Sequence, residues 1–242
     1  MSRLWDKGQP LDSRVLAFTA GEDHALDERL VQYDVKASIA HARMLASRGL
    51  LTQEDFQLIE KGLRDVGEAH ARGEWKITLE DEDGQTALEK HLTEKIGPAG
   101  GRVHLGRSRN DQVLTALRLY LKDAVEELAQ GVEKVVEALD GLVDRQGDIA
   151  LPGYTHMQQA MPSSVKLWAG GFANELRDDA AGIRATLRRI DKSPLGSAAG
   201  YGAPALKLDR EATAKEMGFA SVQVPVTSVQ LSRGKAESQL LF

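Results

Sequence analysis

The chain has 242 residues, of which 42% are apolar and 28% charged, a formal net charge of -5 and an isoelectric point near 5.7. That size and balance suit one sizeable core, or a large domain with a small lobe, and exclude disorder over most of the length. The charge leaves no broad basic field for nucleic acid or an anionic membrane, and the absence of cysteine removes disulfides, thiolate chemistry and cysteine-based zinc sites.

The chain starts Met1-Ser2-Arg3-Leu4-Trp5-Asp6 without the apolar run of a signal peptide, and no stretch approaches the ~20 apolar residues of a membrane span. The expectation is a cytoplasmic, soluble protein. Over 24–49, Leu26, Leu30, Val31, Val35, Ile39, Ala40 and Leu45 fall on one helical face, and Gly49 closes the run. Thr52-Gln53-Glu54-Asp55 reads as a new helix start with acidic residues in its first turn, continuing to about Arg72. A third helix is expected over Thr86–Ile96, followed by a loop from Gly97 to Gly101.

The clearest periodicity lies between 108 and 147. Leu114, Leu121, Leu128, Val135 and Leu142 are seven apart, Leu117, Ala124, Gly131 and Ala138 form a second row, and no proline interrupts them. The pattern predicts a helix roughly 55–60 Å long, which belongs in a long bundle with more than one neighbouring helix. Pro152-Gly153 is expected to break the chain before a second long helix from about Ser163 to Ile190. A Gly/Ala-rich loop, a short helix at 209–217, an extended stretch from Ser221 to Thr227 and a further helix from Ser228 follow. Strand content should be very small. Gln239-Leu240-Leu241-Phe242 offers no cap or breaker, so the last helix is expected to continue beyond the sequence.

Three polar segments sit at helix ends. In His104-Leu105-Gly106-Arg107-Ser108-Arg109-Asn110-Asp111-Gln112, Ser108 and Asp111 form a Ser-x-x-Asp cap. Two arginines, a serine and an asparagine around free backbone N–H groups exceed what a cap requires and suit a carboxylate. In Pro152-Gly153-Tyr154-Thr155-His156-Met157-Gln158, a histidine follows a hydroxyl residue in a turn. It is either a structural histidine or a group able to move a proton near neutral pH. Pro194 to Gly202 follows a helix rather than a strand and lacks a Gly-Lys-Ser/Thr ending, so it reads as a tight interhelical connection and not a phosphate loop.

Together these segments resemble the fumarase/aspartase superfamily and, within it, the argininosuccinate lyase family. Ser108-Arg109-Asn110-Asp111-Gln112 and Gly153-Tyr154-Thr155-His156 are similar to that family's motifs. Leu26–Leu30, Ser38–Ala42, Glu82-Asp83 and Glu89 resemble its N-terminal region, so the likeness covers almost the whole chain. It implies an all-α fold: an N-terminal helical lobe over 1–107, then part of a central long-helix bundle over 108–242. It also implies β-elimination of argininosuccinate to arginine and fumarate by acid/base chemistry, with no metal or other cofactor. The substrate is a small molecule, with neither nucleic acid nor membrane as partner, and the family's site is assembled from three subunits of a homotetramer.

By that resemblance Thr155 and His156 are the catalytic pair, Thr155 also contacting a carboxylate. Ser108, Arg109 and Asn110 bind the succinyl carboxylates, and Asp23 approaches the arginine end of the substrate. Four positions depart from the family pattern: Asp23 stands where a serine is usual, Gln85 where histidine is frequent, Leu105 for threonine and Met161 for glutamine. The family also continues for nearly as many residues again, including a Gly-Ser-Ser-x-Met-Pro-x-Lys-x-Asn-Pro loop that supplies a proton-transfer serine and a carboxylate-binding lysine. Activity is therefore expected of the full-length protein and not of this chain alone. The alternatives are a catalytically inactive, crystallin-like structural protein on the same fold, or a helical oligomerisation scaffold built on the heptad faces.

Overall fold

The computed structural model describes residues 12–241. Met1–Leu11 and Phe242, which carry the expectations about the start and end of the chain, lie outside them. The main elements are α1 (Ser13–Ala20), α2 (Val31–Ser47), α3 (Gln53–Ala71), α4 (Gly84–Ile96), α5 (Arg109–Gln146), β1 (Ala150–Thr155), β2 (Gln158–Ser164), α6 (Val165–Ile190), β3 (Lys192–Ser193), α7 (Arg210–Met217) and β4 (Ser221–Val222). Short helical turns fill several connections. Among the described residues no helix is long and apolar enough to cross a membrane.

The described residues form two compact units. One runs up to Tyr120 and adds Asp191–Lys235; the other comprises Leu121–Ile190 and the residues from Ala236. α2 organises the first unit because it is buried on nearly every side. Val31, Val35, Ile39 and Leu45 pack with Ile59, Leu63 and Val66 of α3 and with Leu88 and Leu92 of α4. On another face Ala37 and Ala40 meet Leu119, Leu195, Met217, Phe219 and Val222. A third stripe, Asp34, Ser38 and His41, is polar and equally buried. β3 and β4 make a two-residue parallel pair, Lys192 with Ser221 and Ser193 with Val222.

The single helix expected over 24–49 is divided. A turn at Asp23–Leu26 and a 3₁₀ turn at Asp27–Arg29 precede α2, and Leu26 is exposed. Long-range hydrogen bonds explain the break. The Asp27 carboxylate accepts from Gly84 N–H at 2.9 Å, and Glu28 accepts from Ile77 N–H at 2.7 Å and pairs with His70 at 2.7 Å. α3 starts as read, with Thr52 Oγ1 accepting from Asp55 N–H. The expected loop after Ile96 contains a helical turn, Pro98–Gly101, set against the end of α4. In the last stretch only Ser221 and Val222 pair as strand, and Arg233-Gly234 interrupts the helix expected from Ser228 into the turns Ser228–Ser232 and Lys235–Ser238.

α5 has 38 residues and is about 57 Å long, as its period predicted. In the second unit its buried line is Val125, Ala129 and Val136, facing α6, whose buried residues include Ala169, Ala173 and Ala180. Arg177–Asp140 and Arg184–Glu133 ion pairs flank that seam. The heptad row is only partly covered: Leu128 and Val135 are exposed, as are Leu167, Trp168 and Phe172 of α6. A small-residue seam lets two helices approach closely but leaves the larger apolar residues pointing elsewhere.

The segment between the long helices is an antiparallel β1–β2 hairpin, not a simple break. Its register shifts between Pro152 and Tyr154, as a bulge does, and Gly153 runs so close to Met161 that a Cβ there would sit 2.5 Å from the Met161 carbonyl oxygen. Elsewhere, a Cβ on Gly100 would stand 2.7 Å from Thr93 N and 2.8 Å from Leu92 C, backbone atoms that cannot swing aside. Gly100→Ala is therefore expected to lower stability by about 1–3 kcal/mol, measured by urea denaturation; an unchanged midpoint would refute this account of the α4 end.

Candidate functional site

The first turn of α5 is held by more than its cap. Ser108 Oγ accepts from Asn110 N–H at 3.3 Å, and Asp111 Oδ1 accepts from Ser108 N–H at 2.9 Å. The other Asp111 oxygen accepts from Gly196 N–H at 3.0 Å and Ala198 N–H at 2.7 Å. One fully buried carboxylate thus ties the 104–112 segment to the Pro194–Gly202 loop. Burial pushes its pKa up, against three backbone N–H donors and the nearby Arg107 charge, which pull it down. Gly196 turns there with φ +82°, and a Cβ would meet Arg210 Cγ at 2.9 Å. The loop is the close-approach connection that its glycines suggest.

Beneath this turn lies the polar stripe of α2. Asp34 accepts from Ser38 Oγ at 3.1 Å and from Gln112 Nε2 at 3.0 and 3.1 Å. Ser38 Oγ in turn accepts from Arg107 Nη1 at 2.9 Å. His41 Nε2 lies 2.8 Å from the Leu105 carbonyl oxygen. Burial, with the positive charge of Arg107, holds the His41 pKa down at about 3, so the ring is neutral and Nε2–H donates.

The nominated binding residues are already engaged. Arg109 pairs with Asp83 at 2.9 Å and donates to Thr86 Oγ1 at 2.6 Å. Asn110 Oδ1 accepts from Arg233. Asp23 and Arg109 line one open pocket of about 370 Å³, together with Val15, Thr19, Glu82 and Asp83. The structure thus brings Asp23 and Arg109 together, whereas Ser108 and Asn110 are not part of that lining. Glu89 accepts from His104 at 2.7 Å, which lowers its pKa.

Thr155 and His156 belong to the other unit. Thr155 pairs with Gln158 across the hairpin end, so His156 and Met157 are its two turn residues. Both have positive φ, 49° and 60°. That is the φ signature of a type I′ turn, which asparagine and glycine adopt far more readily. His156 and Met157 are exposed, the methionine almost fully. A non-glycine left-handed pair at a tip presents a side chain outward at a backbone cost of roughly 1 kcal/mol or more per residue.

Among the four departures, Asp23 stands beside Arg109 in the pocket and Gln85 is buried with neither amide atom hydrogen-bonded to a described residue. Leu105 contributes its carbonyl to His41, and Met161 is exposed on β2. Sequence reasoning pointed to Arg107 only as one of the two arginines of the 104–112 segment, and it did not nominate Asp34, Ser38, His41 or Thr86 as parts of the site. The available signal was a polar set at spacings of four and three on a helix otherwise apolar all round.

The profile of a lyase family matches residues 8–234, and the chain belongs to that family. Argininosuccinate lyase of Thermotoga neapolitana is 45% identical over 239 residues, covering 99% of this chain and 60% of that protein. Argininosuccinate lyase of Sorangium cellulosum is also 45% identical, over 99% of this chain and 55% of its own length. The chain therefore spans little more than half the length of these curated relatives. Among solved structures, an EDDS lyase in complex with formate superposes with a TM-score of 0.78 at 25% identity, covering 96% of this chain and 46% of that one. A fumarate lyase:delta crystallin from Brucella melitensis gives 0.72 at 18% identity, covering 93% of this chain and 56% of that one, a likeness of fold alone. The fold is all-α and fumarase/aspartase-like.

His41 gives the site a pH signature. Its folded pKa of about 3 lies below the ordinary 6.5, so the unfolded chain takes up a proton first. Its contribution to stability is complete above about 6.5 and is lost as pH falls toward about 3. Wild type should be about 2 kcal/mol less stable near pH 5 than near pH 8 through this group. Denaturant titrations at the two pH values should give a smaller difference for His41→Gln, which keeps a donor without titrating; an equal difference would refute the assignment.

Proposed function

We propose that the full-length protein is an argininosuccinate lyase, splitting argininosuccinate into arginine and fumarate. The observation that carries this reading is 45% identity with argininosuccinate lyases over 99% of the chain. A base removes a proton from the carbon beside a succinyl carboxylate, leaving a dianionic aci-carboxylate. Positive charge and N–H donors aimed at that carboxylate lower the barrier, and an acid protonates the departing guanidino nitrogen. Ser108, Arg109 and Asn110 take the carboxylates at the start of α5, where the helix N-terminus adds its own donors. Thr155 contacts a carboxylate and His156 takes part in proton transfer, and the exposed, strained turn that carries it supports that role. Asp23 approaches the cationic arginine end from the pocket it shares with Arg109.

In this reading, with a lobe over 1–107 and a bundle part over 108–242, the segments 104–112 and 152–158 meet across a subunit boundary of a cytoplasmic homotetramer that serves arginine biosynthesis. The exposed Leu128, Val135, Leu167, Trp168 and Phe172 support association, since large exposed apolar faces mark contact surfaces. Fumarate release from argininosuccinate, followed by ultraviolet absorbance, tests the activity. His156→Asn in the full-length protein should cut turnover by roughly a hundredfold or more with its circular dichroism retained. Undiminished turnover in that variant would remove His156 from the mechanism, and no release by wild type would favour a structural protein on the same fold.

A further inference from the structure

Between α2 and α3 lies a cleft of about 400 Å³, the size of a small-ligand site. All of its lining belongs to the first unit, and none of it to the 104–112 segment or the Pro194–Gly202 loop. Its floor is Val35, Ile39 and Gly67, all buried. Gly67 keeps the floor low: a Cβ there would stand 3.3 Å from Gln32 Oε1 and 3.5 Å from Val35 Cγ1. Gln32 Nε2 instead donates to the Gly67 carbonyl at 2.6 Å, which leaves Oε1 as an acceptor at the cleft.

The charges around this floor fall into two groups. At one end Arg43 pairs with Glu60 at 2.8 Å and with Glu216, and its guanidinium lies over the Phe56 ring at 5.5 Å. Arg64 gives Nη2 to Glu60 at 2.7 Å, and its other donors make no hydrogen bond to a described residue. The second group is not closed. Lys36 and Glu68 line the same cleft from opposite helices, yet they form no ion pair with each other. Lys36 pairs with no described residue, and Glu68 reaches only Arg72, at 3.9 Å, which is held more closely by Glu74 at 2.8 Å. Exposed charges are ordinary on a surface. These two share one cleft, over an apolar floor, beside cations whose own carboxylates are already in place.

A positive and a negative group held apart across an apolar floor match a ligand that carries both charges on one carbon. We propose that this cleft is a binding site for a free α-amino acid with an aliphatic side chain. The ligand's carboxylate meets Lys36 and the unfilled donors of Arg64, and its ammonium meets Glu68 and Gln32 Oε1. Its side chain lies on Val35 and Ile39, with Ala71 at the border. The site is independent of the lyase reading, and no step of that reaction is assigned to it.

The test uses the full-length protein and L-leucine as the probe, with binding followed by calorimetry. Leucine should bind saturably, and fumarate should not displace it. Two analogues each lack one charge: 4-methylpentanoate has no ammonium and isoamylamine no carboxylate. Each should bind about tenfold more weakly than leucine, or worse, since each loses a charge-assisted contact. Lys36→Gln and Glu68→Gln, both at exposed positions, should weaken leucine binding by a similar factor. Lys36→Gln should leave isoamylamine binding unchanged, and Glu68→Gln should leave 4-methylpentanoate binding unchanged. Ala71→Trp fills the cleft without altering its charge and should abolish binding. Absence of saturable leucine binding, as when another subunit covers the groove, overturns the proposal. Equal affinity for leucine and both analogues overturns it without any variant. Displacement of leucine by fumarate, or affinity unmoved in both charge variants, puts the ligand elsewhere and overturns it as well.

Discussion

A single buried carboxylate carries the local order of the first unit's polar end. Asp111 sits in the first turn of α5, yet its second oxygen is spent on two N–H groups more than eighty residues later in the chain. A capping carboxylate ordinarily satisfies its own helix and water. Here it joins the turn at Ser108 to the loop at Gly196, so the conformation of each depends on the other. The glycines of that loop are necessary because the backbone must come within hydrogen-bonding distance of a side chain in the interior, where a Cβ at Gly196 would collide with Arg210.

The second support is the polar stripe of α2. Helices buried on nearly all sides are normally apolar throughout. This one places Asp34, Ser38 and His41 in line beneath the 105–112 segment, and each finds a partner there. Buried polar groups of this kind are costly unless satisfied, and when satisfied they specify one arrangement. The result is a turn whose backbone and arginines are held by the protein's own contacts. Preorganised donors of that sort are what stabilise developing charge on a carboxylate.

Local signals made much of the fold legible. α5 was readable because its heptads run without proline for 38 residues, and α3 because Thr52 precedes two acidic residues at a helix start. The β1–β2 hairpin was not readable. Pro152, Gly153 and Pro162 interrupt any alternation, and His156-Met157 is not a pair that announces a two-residue turn. At the site, the residue types of the 104–112 segment pointed to an anion. The neutralisation of Arg109 by Asp83 and the bond from Arg107 to Ser38 depend on chain segments dozens of residues apart, and no local pattern encodes them. The split before α2 failed for the same reason: Asp27 and Glu28 are read as helix until their partners, Gly84, Ile77 and His70, are seen.

The tip of the hairpin has a consequence for which sequences the protein can accept there. Two successive non-glycine residues with positive φ form a backbone filter that acts before any chemistry is considered. Asparagine, aspartate and glycine pass it easily, histidine passes it with some strain, and valine, isoleucine or threonine scarcely pass it at all. Position 156 is thus open to a small set of residues, of which histidine alone has an ordinary pKa near neutrality. A histidine at this tip stands against the conformational preference of its own turn, which asparagine and glycine would satisfy with less strain.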